Sequence, residues 1–190
     1  MPYSADWFSP NIPNWERWLA KFKDAEMPNF LEIGCFEGKA TTWMLDNFPS
    51  AHVTTIDMFE GGMEDGDKGE FFSDKAVQNY VENVSSYGFR VTTLKGKSFD
   101  ILPSLIGLDY DFIYIDGSHR SIEVLQDSIL AWNLLKEGGV MVWDDYTLDR
   151  YGDKKLNPAM AIDAFLAIYK GKYEPIEKGG QVCIEKLVQS

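Results

Sequence analysis

Three aspartates stand at the ends of two apolar segments, where their carboxylates could bind a metal ion. Asp116 ends the segment 111–116 (DFIYID), and Asp144 and Asp145 end the segment 140–145 (VMVWDD). If these segments are neighbouring parallel strands, the three carboxylates meet at one rim of the sheet and repel each other unless a positive charge lies between them. Oxygen ligands select magnesium, calcium or manganese, and magnesium is the ion we expect. In the alternative, one or two of these carboxylates cap helices or pair with Lys or Arg.

A histidine follows the first of these aspartates closely enough to act at the same rim. His119 lies three residues after Asp116. A neutral imidazole there could remove the proton of a hydroxyl group, so His119 and Asp116 are the candidate catalytic residues. The alternative for His119 is a capping or packing role at the start of the following helix. His52, the other histidine, opens an apolar strand and receives no role.

A glycine-bearing turn and a further aspartate follow two other apolar segments. The turn carries Gly34 and Gly38 in the sequence 32–38 (EIGCFEG), and glycines there let the backbone approach a ligand closely. Asp57 ends the segment 52–57 and could accept hydrogen bonds from ribose hydroxyls. Taken alone, the glycine turn is also consistent with an ordinary turn, and Asp57 with a residue that caps a helix or loop. The turn lacks the G-x-G-x-x-G pattern, which argues against a nicotinamide-dependent oxidoreductase.

The segments that must position these residues alternate between strand and helix patterns. We predict strands at 29–34, 52–57, 90–94, 111–116 and 140–144, with a closing pair at 173–176 and 181–188. We predict helices at 14–23, 39–48, 71–87, 99–106, 121–135 and 158–169. This alternation predicts an α/β fold: one doubly wound, Rossmann-like, mostly parallel sheet with helices on both faces and an antiparallel C-terminal strand pair. Ligands of such sheets bind at the carboxyl ends of the strands.

Length and composition favour one domain that acts on a small molecule. We expect a single domain over 1–190, with 1–28 as an N-terminal helical extension that packs on it, caps a pocket or contacts a partner chain, so a homodimer is possible. The net charge of −12 disfavours nucleic acid as a partner. No apolar run approaches the roughly 20 residues that span a bilayer, and no signal peptide is recognised, so we expect no membrane partner and a cytoplasmic location. Cys35 and Cys183 are expected to be reduced and buried.

Taken together, the motifs over residues 30–146 resemble those of class I S-adenosylmethionine-dependent methyltransferases. The resemblance is to the small metal-dependent O-methyltransferases, catechol-type and macrolide-sugar-type. Segment 30–38 resembles the family's first motif, an acid (Glu32) followed by G-x-x-x-G, which wraps the methionine part of the cofactor. The resemblance implies that Asp57, with Met58 beside it, holds the ribose and that 96–98, ending in Ser98, meets the adenine. Thr41 or a backbone amide would reach the cofactor carboxylate, because Ala40 replaces a serine that relatives often carry.

The same resemblance implies a mechanism. Asp116, Asp144 and Asp145 fall where the family places its metal ligands, and Asp116 also adjoins the cofactor. His119 falls where catechol-type enzymes carry a lysine base. The implied activity is O-methylation of a small-molecule hydroxyl, and Asp145 is similar to the sugar-modifying branch, so a sugar acceptor is possible.

Two alternatives to this function stay open. They are a metal-independent N- or carboxyl-methyltransferase and a non-catalytic cofactor-binding module.

Two loops are expected to contribute to the site. The acidic loop from Glu60 to Glu70 is expected to act as a lid, and the loop 149–157 to help choose the acceptor. A solvated surface loop is the alternative for both.

Overall fold

The fold is one seven-stranded sheet between helices, seen in a computed structural model that describes residues 3–60 and 74–188. The strands are β1 (Asn29–Ile33), β2 (His52–Asp57), β3 (Val91–Lys95), β4 (Tyr110–Ile115), β5 (Leu135–Trp143), β6 (Tyr173–Lys178) and β7 (Val182–Lys186). The helices are α1 (Ile12–Trp18), α2 (Lys39–Asn47), α3 (Asp74–Val84), α4 (Ser98–Ile101), α5 (Ser121–Trp132) and α6 (Pro158–Ile168). Among these residues, no helix has the length and apolar character that crossing a bilayer requires.

The strand order confirms the predicted architecture. The order is β3-β2-β1-β4-β5-β7-β6. Strands β1 to β5 pair in parallel, and β7 pairs antiparallel with both β5 and β6. The chain order reverses between β1 and β4, and at such a switch point the loops on the two sides diverge and leave a crevice at the carboxyl ends of the strands.

Several element boundaries differ from the predicted ones. β5 begins at Leu135, five residues before the predicted start, because its pairing with β4 accommodates a register shift between Tyr110 and Phe112. The predicted helix 99–106 is α4 followed by a 3₁₀ turn at Leu102–Leu105. The predicted helix 71–87 appears as α3, followed by a 3₁₀ segment at Ser85–Arg90, and residues 71–73 lie outside the described part of the chain.

The core has one apolar layer on each face of the sheet, as the alternation of side chains along a strand requires. On β4, Ile113 and Ile115 face α5 and α6, whereas Phe112 and Tyr114 face α1 and α2. The second layer includes Trp15 of α1, which is fully buried and meets the Tyr114 ring edge-on at 4.7 Å. The N-terminal segment therefore packs on the sheet beneath the carboxyl end of β4. Cys35 and Cys183 are free and buried, as expected.

A close backbone approach at Gly34 joins β1 to β4 at the switch point. Gly34 has φ +84°, and a Cβ at this position would lie 2.1 Å from the carbonyl oxygen of Asp116 and 2.6 Å from the Cα of Gly117. The Gly34 amide donates to Ile56 O at 2.8 Å, and the Asp116 amide donates to Ile33 O at 2.8 Å. The position therefore requires glycine for both its conformation and its space.

A buried acid fixes the start of α2 against β1. Glu32 is 1% exposed, and its carboxylate accepts a hydrogen bond from the Thr41 hydroxyl of α2. Burial raises the pKa of Glu32 from 4.5 to about 8, the charge of Asp57 adds to the rise, and the Thr41 hydrogen bond opposes it. Glu32 therefore holds a proton in the folded chain at a pH where the unfolded chain has released it.

Replacing Gly34 by alanine is expected to destabilise the fold. The added Cβ must displace backbone and adopt a left-handed conformation, so the free energy of unfolding should fall by about 3 kcal/mol or more. Urea denaturation followed by circular dichroism measures the change. Gly180→Ala is the matched control, because nothing lies within 4 Å of its added Cβ. Equal midpoints for the two variants would contradict the close approach.

Replacing Glu32 by glutamine is expected to change the pH dependence of stability. Between pH 4.5 and about 8 the folded wild type binds a proton that the unfolded chain does not, so its stability falls as the pH rises. Glutamine removes this loss and still accepts from Thr41. The Tm of the variant minus that of the wild type should be near zero at pH 5 and should increase by several degrees by pH 9. Glu26→Gln, on the surface, should show no such trend, and a constant difference for Glu32→Gln would refute the buried proton.

Candidate active site

A cavity of about 550 Å³ lies at the carboxyl ends of the central strands. Its walls come from the turn after β1, the ends of β2, β4 and β5, the loop after β3, α5 and the N-terminal segment. Of the cofactor residues predicted from the sequence, six line it. Four of these, Glu32, Gly34, Asp57 and Met58, come from β1, β2 and the residues that follow them. Ser98 lines it from α4, and Asp116, His119 and Asp144 line it from the rim of β4 and β5.

Gly38 and Thr41 are not among the residues that line the cavity, and their contact with the cofactor stays a prediction. Gly38 caps α2 with φ +78°, and a Cβ there would lie 3.0 Å from the Tyr80 ring. Thr41 is fully buried behind Glu32. The first turn of α2 points Thr41 back at β1, so both residues support the glycine turn.

Asp57 organises the turn on which a ligand would lie. Its Oδ2 accepts from the amides of Cys35 at 2.8 Å and Phe36 at 3.0 Å, and its Oδ1 accepts from the Phe59 amide at 2.8 Å. Each carboxylate oxygen has more than one lone pair, so these bonds leave acceptor capacity for hydroxyl groups. Asp57 thus has a positioning role that the sequence did not indicate, alongside its place in the cavity wall.

The acidic rim brings together donor atoms from two neighbouring strand ends. One ligand atom from each of Asp116, His119 and Asp145 lies within 4.8 Å of the other two. His119 Nε2 lies 3.0 Å from Asp145 Oδ2. Asp145 has φ +59°, a left-handed conformation that aspartate tolerates better than most residues. Asp116 and Asp145 therefore converge at this rim together with His119, the candidate base that the sequence assigns to the same rim.

Asp144 adjoins this cluster through a buried tyrosine. The Tyr114 hydroxyl contacts Asp116 Oδ2 at 2.9 Å and also Asp144 Oδ2. One hydroxyl proton can satisfy only one carboxylate at a time. The Gln181 side-chain amide donates to Asp144 Oδ2 at 3.1 Å, and its oxygen accepts from Trp15 Nε1 at 2.9 Å. Sequence reasoning missed these supports, although Tyr114 shares a strand face with Asp116 by the two-residue period.

Burial and the crowding of like charges raise pKa values at this rim. Burial raises the pKa of Asp116 well above its usual range, and the charges of Asp144 and Asp145 raise it further, whereas His119 lowers it. Burial also raises the pKa of Asp144 and that of the Tyr114 hydroxyl. The rim therefore favours a bound proton or a cation over three ionised carboxylates.

An arginine fixes the tautomer of the histidine. Arg150 Nη1 lies 3.2 Å from His119 Nδ1. A guanidinium only donates hydrogen bonds, so Nδ1 accepts, and a neutral His119 carries its proton on Nε2, facing Asp145. Arg150 belongs to the loop 149–157, and its amide donates to the buried Asn157 at 3.1 Å. This loop therefore reaches the rim, as predicted, whereas residues 61–70 of the predicted lid lie outside the described part of the chain.

The N-terminal segment forms one wall of the cavity. Ser4 donates to Glu37 through its amide at 2.6 Å and its hydroxyl at 2.9 Å, and Asp6 pairs with Lys39 at 2.5 Å. These contacts fasten the segment to the start of α2. Trp7 lines the cavity beside Phe36, with ring centroids 5.1 Å apart. The segment therefore caps part of the pocket, one of its predicted roles.

Comparison with known proteins supports the identification made from the motifs. Residues 31–146 match the methyltransferase domain family. The O-methyltransferase hkm8 of Aspergillus hancockii is 29% identical over 137 residues, which are 70% of this chain and 49% of that protein. The aligned region therefore spans about half the length of this relative.

Solved structures show the same fold at low sequence identity. The O-methyltransferase TomG of Streptomyces achromogenes, in complex with S-adenosylmethionine, has a TM-score of 0.65 and 17% identity, over 93% of this chain and 80% of that one. The MycE methyltransferase of the mycinamycin biosynthetic pathway, in complex with Mg, S-adenosylhomocysteine and mycinamycin VI, has a TM-score of 0.65 and 15% identity, over 98% of this chain and 50% of that one.

The match covers the glycine turn, both aspartate-bearing strand ends and the histidine between them. Because residues 31–146 match the family over more than half of the chain, the chain belongs to the methyltransferase domain family, with the fold of class I S-adenosylmethionine-dependent methyltransferases.

Proposed function

We propose that the chain transfers a methyl group from S-adenosylmethionine to a hydroxyl oxygen of a small molecule, with a divalent cation, magnesium expected, held by Asp116, Asp144 and Asp145. The observation that carries this proposal is the cluster of Asp116, His119 and Asp145 at the ends of β4 and β5, which Asp144 adjoins through the Tyr114 hydroxyl. The complexes of MycE with Mg and of TomG with S-adenosylmethionine support it by analogy.

The walls of the cavity fit the cofactor at several points. The Gly34 backbone has no side chain to obstruct a ligand, Glu32 presents a buried carboxyl beside it, and Asp57 retains acceptor capacity for ribose hydroxyls. S-adenosylmethionine supplies a methyl group on a sulfonium, which needs no further activation. The protein's task is therefore to position and deprotonate the acceptor.

The rim fits a hard divalent cation. Its carboxylates are oxygen donors, and burial together with the neighbouring carboxylate charges raises the pKa of Asp116 and of Asp144. A divalent ion bound there would lower the pKa of an acceptor hydroxyl and fix its position. Tyr114 and Gln181 hold Asp144 beside Asp116, so the supporting hydrogen bonds orient the predicted ligands.

His119 is the proposed base. Its neutral form has a lone pair at Nδ1, the atom that Arg150 approaches, and a proton at Nε2. Proton uptake at Nδ1 therefore requires Arg150 to withdraw, and the neighbouring Asp145 stabilises the imidazolium that results. Arg150 thus couples the loop 149–157 to the base. This arrangement suits a loop that contacts the acceptor and helps to select it.

The acceptor class rests on the same geometry. A hydroxyl placed at the rim would lie beside His119, under a wall that contains Trp7 and Phe36. Aromatic faces suit either a planar ring or the apolar face of a sugar. The sugar is supported by the resemblance of Asp145 to the sugar-modifying branch, and the cavity volume of about 550 Å³ suits a small molecule beside the cofactor.

One observation favours a second candidate, a metal-independent methyltransferase. His119 Nε2 already faces Asp145 Oδ2 at 3.0 Å, and a carboxylate that orients a histidine supports general base catalysis without a metal. The two candidates differ in whether a chelator abolishes turnover.

Replacing Asp144 by asparagine is expected to remove cation binding and leave cofactor binding intact. Titration calorimetry should show the affinity for Mg²⁺ falling at least about tenfold, while that for S-adenosylhomocysteine changes less than about threefold. Asp109→Asn makes the same charge change just before β4, at the opposite edge of the sheet, and should alter neither. Turnover, followed as S-adenosylhomocysteine release over a panel of phenols, catechols and sugars, should stop with EDTA. Full turnover in EDTA would establish the metal-independent candidate.

Replacing His119 by glutamine distinguishes between a role as the catalytic base and a role as a ligand of the metal ion. If His119 is the base, kcat falls by about 100-fold or more while the affinity for Mg²⁺ stays within about threefold of that of the wild type. Calorimetry and initial rates measure the two quantities on the same preparation. Parallel loss of cation affinity and kcat would place His119 among the ligands, and unchanged kcat would exclude both roles.

A further inference from the structure

The carboxylate of Asp144 depends on a hydrogen-bond donor that it does not share with Asp116. Its Oδ1 accepts from the Asp145 amide at 2.8 Å, and its Oδ2 contacts the Tyr114 hydroxyl. The same hydroxyl contacts Asp116 Oδ2 at 2.9 Å, and its one proton can go to only one of the two carboxylates. When Tyr114 donates to Asp116, the donor that remains for Asp144 Oδ2 among the described residues is the side-chain amide of Gln181, at 3.1 Å.

The register of the sheet brings this glutamine to the rim. The antiparallel pairing of β5 with β7 joins Trp143 to Val182, so the next residue along β5, Asp144, lies beside the residue that precedes β7, Gln181. Gln181 is 4% exposed. A buried amide has one end that donates and one that accepts, and it can donate to Asp144 only if its nitrogen faces the rim. With its ends exchanged, the amide would point its oxygen at a carboxylate oxygen and repel it.

An indole decides which end of the amide faces the rim. Trp15 Nε1 donates to Gln181 Oε1 at 2.9 Å. Because an indole nitrogen only donates, the oxygen of the amide must face Trp15 and the nitrogen must face Asp144. The indole is itself fixed: Trp15 is fully buried and meets the rings of Phe112 and Tyr114 edge-on, with centroids 5.1 Å and 4.7 Å away. Turning the indole would require opening this closely packed aromatic layer.

Resting on the proposed cation at the rim, we propose that Trp15 and Gln181 are positioning residues for that cation. The indole orients the amide, and the amide holds Asp144 in the orientation in which it binds the ion. Both residues lie outside the matched region 31–146, so the N-terminal extension and the turn before β7 set the affinity of the rim for a cation. A purely structural role of Trp15, as a ring in the core, would be served as well by phenylalanine.

Replacing Trp15 by phenylalanine tests the assignment, because the change removes the N–H group and keeps an aromatic ring in the core. Trp18→Phe is the matched control on the same helix: Trp18 is 5% exposed, and its Nε1 has no hydrogen-bond partner among the described residues. Titration calorimetry with Mg²⁺ alone should show the affinity falling about threefold to tenfold in Trp15→Phe and staying within about twofold of the wild type in Trp18→Phe. The Tm in EDTA reports the packing loss, which both variants share.

A second variant removes the amide itself. Gln181→Met keeps a side chain of similar length without an N–H group, so the affinity for Mg²⁺ should fall about tenfold. Because Trp15 acts through this amide, adding Trp15→Phe to Gln181→Met should cause no further loss of affinity, as a double-mutant cycle would show. The affinity for S-adenosylhomocysteine should stay within about threefold of that of the wild type in every variant.

The outcomes separate this inference from the proposed function. Equal Mg²⁺ affinities of Trp15→Phe and Trp18→Phe, or additive losses in the double variant, would overturn the assignment and leave the cation at the rim standing. If the wild type bound no Mg²⁺, the proposed cation would fail, and this inference with it.

Discussion

Parallel strand pairing forces like charges together at the centre of this molecule. The Asp116 amide donates to Ile33 O and the Asp144 amide donates to Ile115 O, so the backbone ladder fixes both aspartates at the same level of the sheet. Because position 34 is a glycine, β1 and β4 can approach closely enough for the hydrogen bond from the Asp116 amide to Ile33 O to form. The paired backbone keeps these aspartates close together, so protons, His119 or a cation at the rim would relieve the repulsion of their carboxylates.

Support for the rim comes from parts of the chain that lie outside the family match. A chain of hydrogen bonds runs from Trp15 through Gln181 to Asp144 and on to Tyr114, and neither Trp15 nor Gln181 lies within residues 31–146. Trp15 is fully buried, so its indole can hold Gln181 in one orientation. The N-terminal extension and the C-terminal strand pair therefore act on the same carboxylate. Their packing links the stability of these peripheral elements to the geometry of the site.

The sequence was sufficient to predict the sheet and the residues at its rim, because both follow from local patterns. Period-two alternation and glycine turns identify strands, and the carboxyl ends of parallel strands share one edge, so Asp116 and Asp145 had to meet. The partners of buried polar groups depend instead on how distant segments pack. Thr41 behind Glu32, Gln181 on Asp144 and Asp127 in the wall of the cavity each required the packed structure. From the sequence alone, an acidic residue on a helix is predicted to be exposed to solvent, because its neighbours in the packed structure are not known.

Raised pKa values occur at two places in the cavity wall, and burial is the largest cause at both. Glu32 and Asp127 are separately buried, and each has its pKa raised by several units, to about 8 and about 7. In the absence of ligands the cavity is therefore walled by acids that hold protons near neutral pH. A cation or a hydrogen-bond donor that enters favours the ionised form of the acid it meets and lowers the pKa of that acid. Ligand entry and proton release are consequently coupled in this cavity, so a ligand that offers positive charge or N–H donors binds more tightly than a neutral isostere of the same shape.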